Sequence, residues 1–284
     1  MLFLKGEKDV LKTVSILSQN YSNGNSSYTE LKNAYTNLLD NLQDWVPHSH
    51  KLKTNYITDI DTTTKLFKVF NSESLADDVV YEMQKSNNEK AKNAMNTIYN
   101  AAENLGSIYP PFHWIYNLVI DTVFNISSES ISGGTTSGAI GILFADPRSN
   151  YTNEDIYEFL VHELGHTLLF LYELRYGLYT DSKRIPDKNT FALSAMRKQL
   201  RPIDKALHSV VVATEVLLLR DKVLGHNHSC LLHPSTDELI PAVNISIESI
   251  IEMNKKENIL TSYSENILKQ CHEFINTLQV RGIK

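Results

Sequence analysis

The chain has 284 residues, of which 42% are hydrophobic and 21% charged, and a formal net charge of −6. That length allows one large domain or two small ones with a buried core, and the acidic balance excludes a bulk nucleic-acid binder. The only cysteines, Cys230 and Cys271, make no disulfide scaffold and fit a reducing compartment.

In chain order, residues 8–107 read as helical. Apolar residues recur at three- and four-residue spacing over 9–17, 28–45, 62–70 and 75–105. The Asn- and Ser-rich stretch 19–27 reads as a loop, and Gly106 with Pro110-Pro111 as a helix stop. Residues 117–124 and 139–144 read as strands, with a Ser/Gly/Thr loop over 127–138 between them. From 152 onward the pattern is helical again. The start, Met1 to Glu7, becomes charged too early for a signal peptide, and no apolar run reaches the roughly 18 residues of a membrane span. The expected fold is α+β and mostly helical: a helical N-terminal region over 1–110, then a short antiparallel sheet beside a metal-binding helix and a helical C-terminal region over 111–284, in one continuous domain. A soluble, cytoplasmic protein with no membrane or nucleic-acid partner is expected.

The residues that carry chemistry are His162-Glu163-Leu164-Gly165-His166. They lie in a segment with the composition of a buried helix, whose start is marked by Thr152 and Asp155 at capping-box spacing. Histidines four apart lie one above the other on a helix face, so both imidazoles can point at one metal ion. Glu163 is turned about 100° away and can act as a base near the same ion. The alternative is a metal-free pair of histidines bridging within a core. Gly165 leaves room for close packing on the motif.

Two histidines do not close a metal site. Pro202 suits the first turn of a helix over 203–220 that is strongly apolar after Ala206 and carries His208 and Glu215 seven residues apart on one face. His208 is the first candidate for third ligand and Glu215 the second; if one binds, the other can hold a ligand from behind. Glu215 could instead pair with Arg197 or Arg201. His226, His228, Cys230 and His233 form another group, bounded by Gly225 and Pro234, that could bind a metal of its own or form a solvated loop over the site.

Residues 138–144, the segment from Leu160 to Leu169, Leu178-Tyr179, Arg197, Arg201-Pro202-Ile203 and Leu207-His208 together resemble the His-Glu-x-x-His proteins that accompany ribosomally made, post-translationally modified peptides. The resemblance covers about residues 130–220 and rests on motif order and spacing. It implies an iron(II)- and 2-oxoglutarate-dependent peptide β-hydroxylase acting on a precursor peptide. Met196 stands where the family often has Trp, and the position of His208 is not always histidine there. Such a site needs a cation for the distal carboxylate of 2-oxoglutarate, a task that suits Arg197 and Arg201. A zinc metallopeptidase would need Glu163 as base and three ligands from His162, His166 and His208 or Glu215, but no such arginines. A binding or structural protein with a metal-free motif is the third reading.

Overall fold

The structure, a computed structural model, describes residues 1–24, 27–71, 88–127, 131–228 and 230–283. The first half is helical: α1 (Leu2–Lys5), α2 (Glu7–Leu17), α3 (Tyr28–Leu42), α4 (Ile60–Asn71), α5 (Asn88–Ile108) and α6 (Pro110–Val119). Part of the helix expected over 75–105 lies outside the described residues. Pro110 and Pro111 open a helix rather than stop one: proline lacks the N–H that a first turn leaves unpaired anyway. Helix α5 also runs through Gly106, where a Cβ would lie 2.9 Å from the Cβ of His113 on α6.

This moves the first expected strand. Residues 117–119 end α6, and only β2 (Thr122–Phe124) is extended. The end of α6 is fixed by side chains that satisfy backbone oxygens in its last turn and just beyond. Lys32 Nζ donates to the oxygen of Leu118, Tyr35 to that of Val119 and Thr54 to that of Ile120. The second strand, β4, spans Ile142–Ala145, just after Gly141, whose φ of +85° makes a turn.

The sheet order is β1-β2-β4-β3, with β1 at Asn55–Ile57 and β3 at Gly133–Gly134. The expected antiparallel sheet is mixed: β1 and β4 both run parallel to β2, and only β3 pairs antiparallel to β4. The chain between β1 and β2 is a long crossover whose described residues are mostly helical, and parallel pairing requires such a crossover. Alternate residues enter two cores. Val123 and Leu143 join the main cluster, while Phe124, Ile142 and Phe144 pack with Leu66, Phe67 and Phe70 of α4. Burial on both faces explains the continuous apolar runs.

The second half is built on α7 (Asn153–Tyr176) and α8 (Ile203–Leu219), followed by α9 (Thr236–Glu257) and α10 (Ser262–Val280). A two-stranded hairpin, β5 (Ala192–Leu193) with β6 (Leu200–Arg201), interrupts the expected helical run. Helix α8 is central, packed by α1, α7, α9 and α10 and buried from Ala206 to Leu219. The main hydrophobic cluster draws residues from Met1 to Leu278, so both halves share it. The fold is mostly helical α+β, and no described helix is long and apolar enough to cross a membrane.

Edge strand β3 lies against α7. A Cβ on Gly133 would sit 2.3 Å from the Phe159 ring and 2.6 Å from the oxygen of Phe144. Gly133→Ala should therefore force β3 off the helix and destabilise the fold by about 1–3 kcal/mol. Urea unfolding of the two proteins checks this, and equal midpoints would refute the close approach.

Candidate metal centre

Helix α7 starts with a complete capping box: Thr152 Oγ1 accepts from the N–H of Asp155, and Asp155 Oδ2 from that of Thr152, at 3.2 and 2.8 Å. Beyond the cap nearly every face is buried, so the polar groups of the motif need partners. Gly165 supplies the close packing expected of it. A Cβ there would meet Val212 Cγ1 of α8 at 3.3 Å. This approach brings His208 of α8 to His166 of α7.

Four imidazoles and a carboxylate form a continuous chain. Glu158 Oε2 lies 3.0 Å from His233 Nδ1, His233 Nε2 3.0 Å from His162 Nδ1, His162 Nε2 3.2 Å from His166 Nε2, and His166 Nδ1 2.8 Å from His208 Nδ1. An ionised carboxylate only accepts, which assigns the protons. His233 donates through Nδ1 to Glu158, so its Nε2 accepts from His162 Nδ1–H, and His162 Nε2 carries a lone pair. When His166 gives an Nδ1 proton to His208, its Nε2 lone pair faces that of His162. Two nitrogens held tetrahedrally at about 2.0–2.1 Å from one ion lie about 3.3 Å apart, so this pair fits a metal.

Burial keeps the rings neutral, as ligands must be. It holds His162 and His166 well below the usual histidine range, aided for His162 by the charge of Arg197 and for His166 by those of Lys205 and Arg201. Burial and Lys205 push His208 down to about 3. His208 meets His166 on the nitrogen remote from His162, so one ion shared by all three needs a change of side-chain torsion.

Glu163 lies beside this pair, buried, with Oε2 accepting from Thr135 Oγ1 at 3.0 Å. Thr135 directly follows β3, so the edge strand sits beside the motif as expected. Burial raises the carboxyl to about 7, with hydrogen bonds from Thr135 opposing the shift.

Of the other sequence candidates, Arg197 is exposed and Arg201 half-buried, and neither guanidinium has a hydrogen bond or ion pair among the described residues. The carboxylate of Glu215 does not join the histidines. It accepts from the N–H groups of Phe3 and Leu4 at 3.0 and 2.9 Å and pairs with the amino group of Met1, not with Arg197 or Arg201.

The chain matches no protein-family model and no curated protein.

In the 226–233 group Asn227 and Leu231 are exposed, while His228, Cys230 and His233 turn onto α7. Leu231 N–H and Cys230 Sγ approach Asp155 Oδ1, while Cys230, His228 and His233 close on Glu158. Glu158 is fully buried and held by Arg220 through two hydrogen bonds of 2.6 and 2.9 Å. Burial alone would raise its pKa, but hydrogen bonds and charge from His233 and Arg220 hold it well below the usual carboxylate range.

Sequence reading missed Glu158, Arg220, Thr135 and Lys205. A signal existed for the first: Glu158 precedes His162 by four residues and so shares its helix face.

The metal-free protein should show Glu163 in its pH dependence. Its folded pKa of about 7 lies above the ordinary 4.5, so between these values the folded state keeps a proton that the unfolded state has lost. Stability therefore falls as pH rises through this window and levels off above it. The depressed histidines act oppositely, removing stability as pH falls below the ordinary 6.5. Glu163→Gln should leave only the histidine slope and gain about 2–3 kcal/mol on the wild type from pH 5 to about 8. Parallel stability curves for the two proteins would refute the assignment.

Proposed function

We propose that this protein is a metal-dependent enzyme that modifies a peptide: an iron(II)- and 2-oxoglutarate-dependent side-chain hydroxylase. The observation that carries the metal is the pair of Nε2 atoms 3.2 Å apart on one helix face. Two things support an oxygenase: the family resemblance, and the three cations Arg197, Arg201 and Lys205 whose charge reaches the histidines. A dianionic cosubstrate needs such positive charge, and a peptidase has no use for it.

In this reading His162, His166 and His208 hold the ion, which when bound supplies oxygen activation. Arg197 and Arg201 bind the distal carboxylate of 2-oxoglutarate, and Lys205 adds positive charge. His233 fixes the His162 ring through Nδ1, and Glu158 fixes His233 in turn. Glu163, with Oε2 held by Thr135, can give or take a proton near neutral pH beside the reacting centre. The balance is peptide C–H, oxygen and 2-oxoglutarate going to peptide C–OH, succinate and carbon dioxide. The protein is read as cytoplasmic, with a precursor peptide as partner.

The second reading is a zinc metallopeptidase. It is favoured by the buried Glu163 carboxyl, raised to about 7 as a general base requires.

Turnover of a peptide library under iron(II) separates the two. The oxygenase releases succinate and adds the mass of one oxygen without cleavage. Peptide fragments formed with zinc and without 2-oxoglutarate would select the peptidase.

Arg197→Ala and Arg201→Ala should weaken 2-oxoglutarate binding by about ten- to a hundredfold and leave metal occupancy unchanged. His208→Ala should lower metal affinity itself. Calorimetry with 2-oxoglutarate and metal analysis read both effects. Unchanged 2-oxoglutarate affinity in both arginine variants would remove the cosubstrate from the proposal.

A further inference from the structure

Glu158, His228 and Cys230 each offer a ligand atom, and the three lie within 4.8 Å of one another. We infer that they form a second metal site of the zinc type, distinct from the His162–His166 pair, which fastens the 225–235 loop to α7.

Lone pairs are the first argument. His228 Nδ1 lies 3.0 Å from the oxygen of Gly225, which can only accept, so Nδ1 carries the ring proton. In the neutral ring Nε2 is then a lone pair, yet it points at Glu158 Oε1 across 2.7 Å. A lone pair cannot face a carboxylate unshielded, so the contact calls for a cation: a second ring proton, which makes an imidazolium–carboxylate pair, or a metal ion that displaces that proton as the two atoms part. Histidine with Nδ1–H on a backbone carbonyl and Nε2 facing other donors is also how imidazole is held for a metal. Cys230 repeats the pattern. Its Sγ lies 3.0 Å from both Asp155 Oδ1 and Glu158 Oε2, while a thiol has one proton to donate.

Charge is the second argument. Asp155, Glu158 and Arg220 are all at most 1% exposed. Two carboxylates against one guanidinium leave a buried negative charge that either a second proton on His228 or His233 or a bound metal ion must balance. A divalent ion bound by the Cys230 thiolate restores neutrality: Arg220 and the ion supply three positive charges, Asp155, Glu158 and the thiolate three negative ones. The thiol proton leaves to solvent on binding.

Ligand chemistry selects the ion. One thiolate, one imidazole and one carboxylate form a borderline-soft set that suits zinc and disfavours magnesium or calcium. Arg220 keeps its two bonds to Glu158 and orients it from behind, and His233 keeps its bond to Oε2.

The test uses the full chain with His162→Ala and His166→Ala combined, which removes the first site. After zinc loading and desalting, this variant should hold about one equivalent, against about two for the wild type. Adding Cys230→Ser or His228→Ala should remove it. Loaded with cobalt(II), the double variant should show a thiolate-to-metal charge-transfer band that Cys230→Ser abolishes and Cys271→Ser keeps. Should a substitution at 230 unfold the protein, thiol labelling of the wild type decides: Cys230 is protected by zinc and exposed by a chelator. No bound metal in the double variant, a cobalt spectrum without the thiolate band, or labelling indifferent to zinc overturns the inference. One equivalent in both wild type and double variant, lost with Cys230, would instead overturn the His162–His166 site and leave this one standing.

Discussion

A fully buried carboxylate, Glu158, sets the terms for everything around the motif helix. Removed from water, it stays ionised only because Arg220 grips both oxygens and His233 donates to one of them. Arg220 also donates to the oxygen of Pro234 and to Thr236 Oγ1, so the same guanidinium ties the end of α8 to the start of α9. Losing either partner would strand the other as an uncompensated buried charge, which costs more than the pair contributes. The proton directions at His233 and His162 follow from this anchor.

The motif helix was legible because its signals are local. The cap at Thr152 and Asp155, the unbroken apolar run and the histidine pair all depend on residues within one or two turns. Close packing at Gly165 was legible too, since a poor helix former in a buried helix needs a reason. What remained hidden depends on tertiary neighbours. The direction of β1 relative to β2 is decided by a crossover, and Glu158 reads as one more helix residue until Arg220 arrives from 62 positions away. Pro110-Pro111 misled for a different reason: a proline pair punctuates a chain equally well as an end or as a beginning.

Two of the buried acidic residues of the central helices divide their duties. Glu158 meets the histidines through His233, whereas Glu215, two turns beyond His208 on the same face of α8, holds the backbone of α1. Of these two, Glu158 is committed to the site and Glu215 to the chain's own architecture. Glu163 is buried and held through Thr135 with its carboxyl raised to about 7, which leaves it able to exchange a proton.

The contact between α1 and Glu215 also bears on how the chain folds. Phe3 and Glu215 are separated by 212 positions, and closing a loop of that length costs on the order of 5 kcal/mol in chain entropy. During synthesis α1 leaves the ribosome long before α8 exists, so it has no partner to cap until most of the protein has been made. Such high contact order places the completion of the α8 core late and makes folding slow for a largely helical protein. His166 and His208 lie 42 positions apart, a far shorter closure than the 212 that bring α1 to Glu215, so the histidine site belongs to the earlier part of that assembly and the α1 cap to the later.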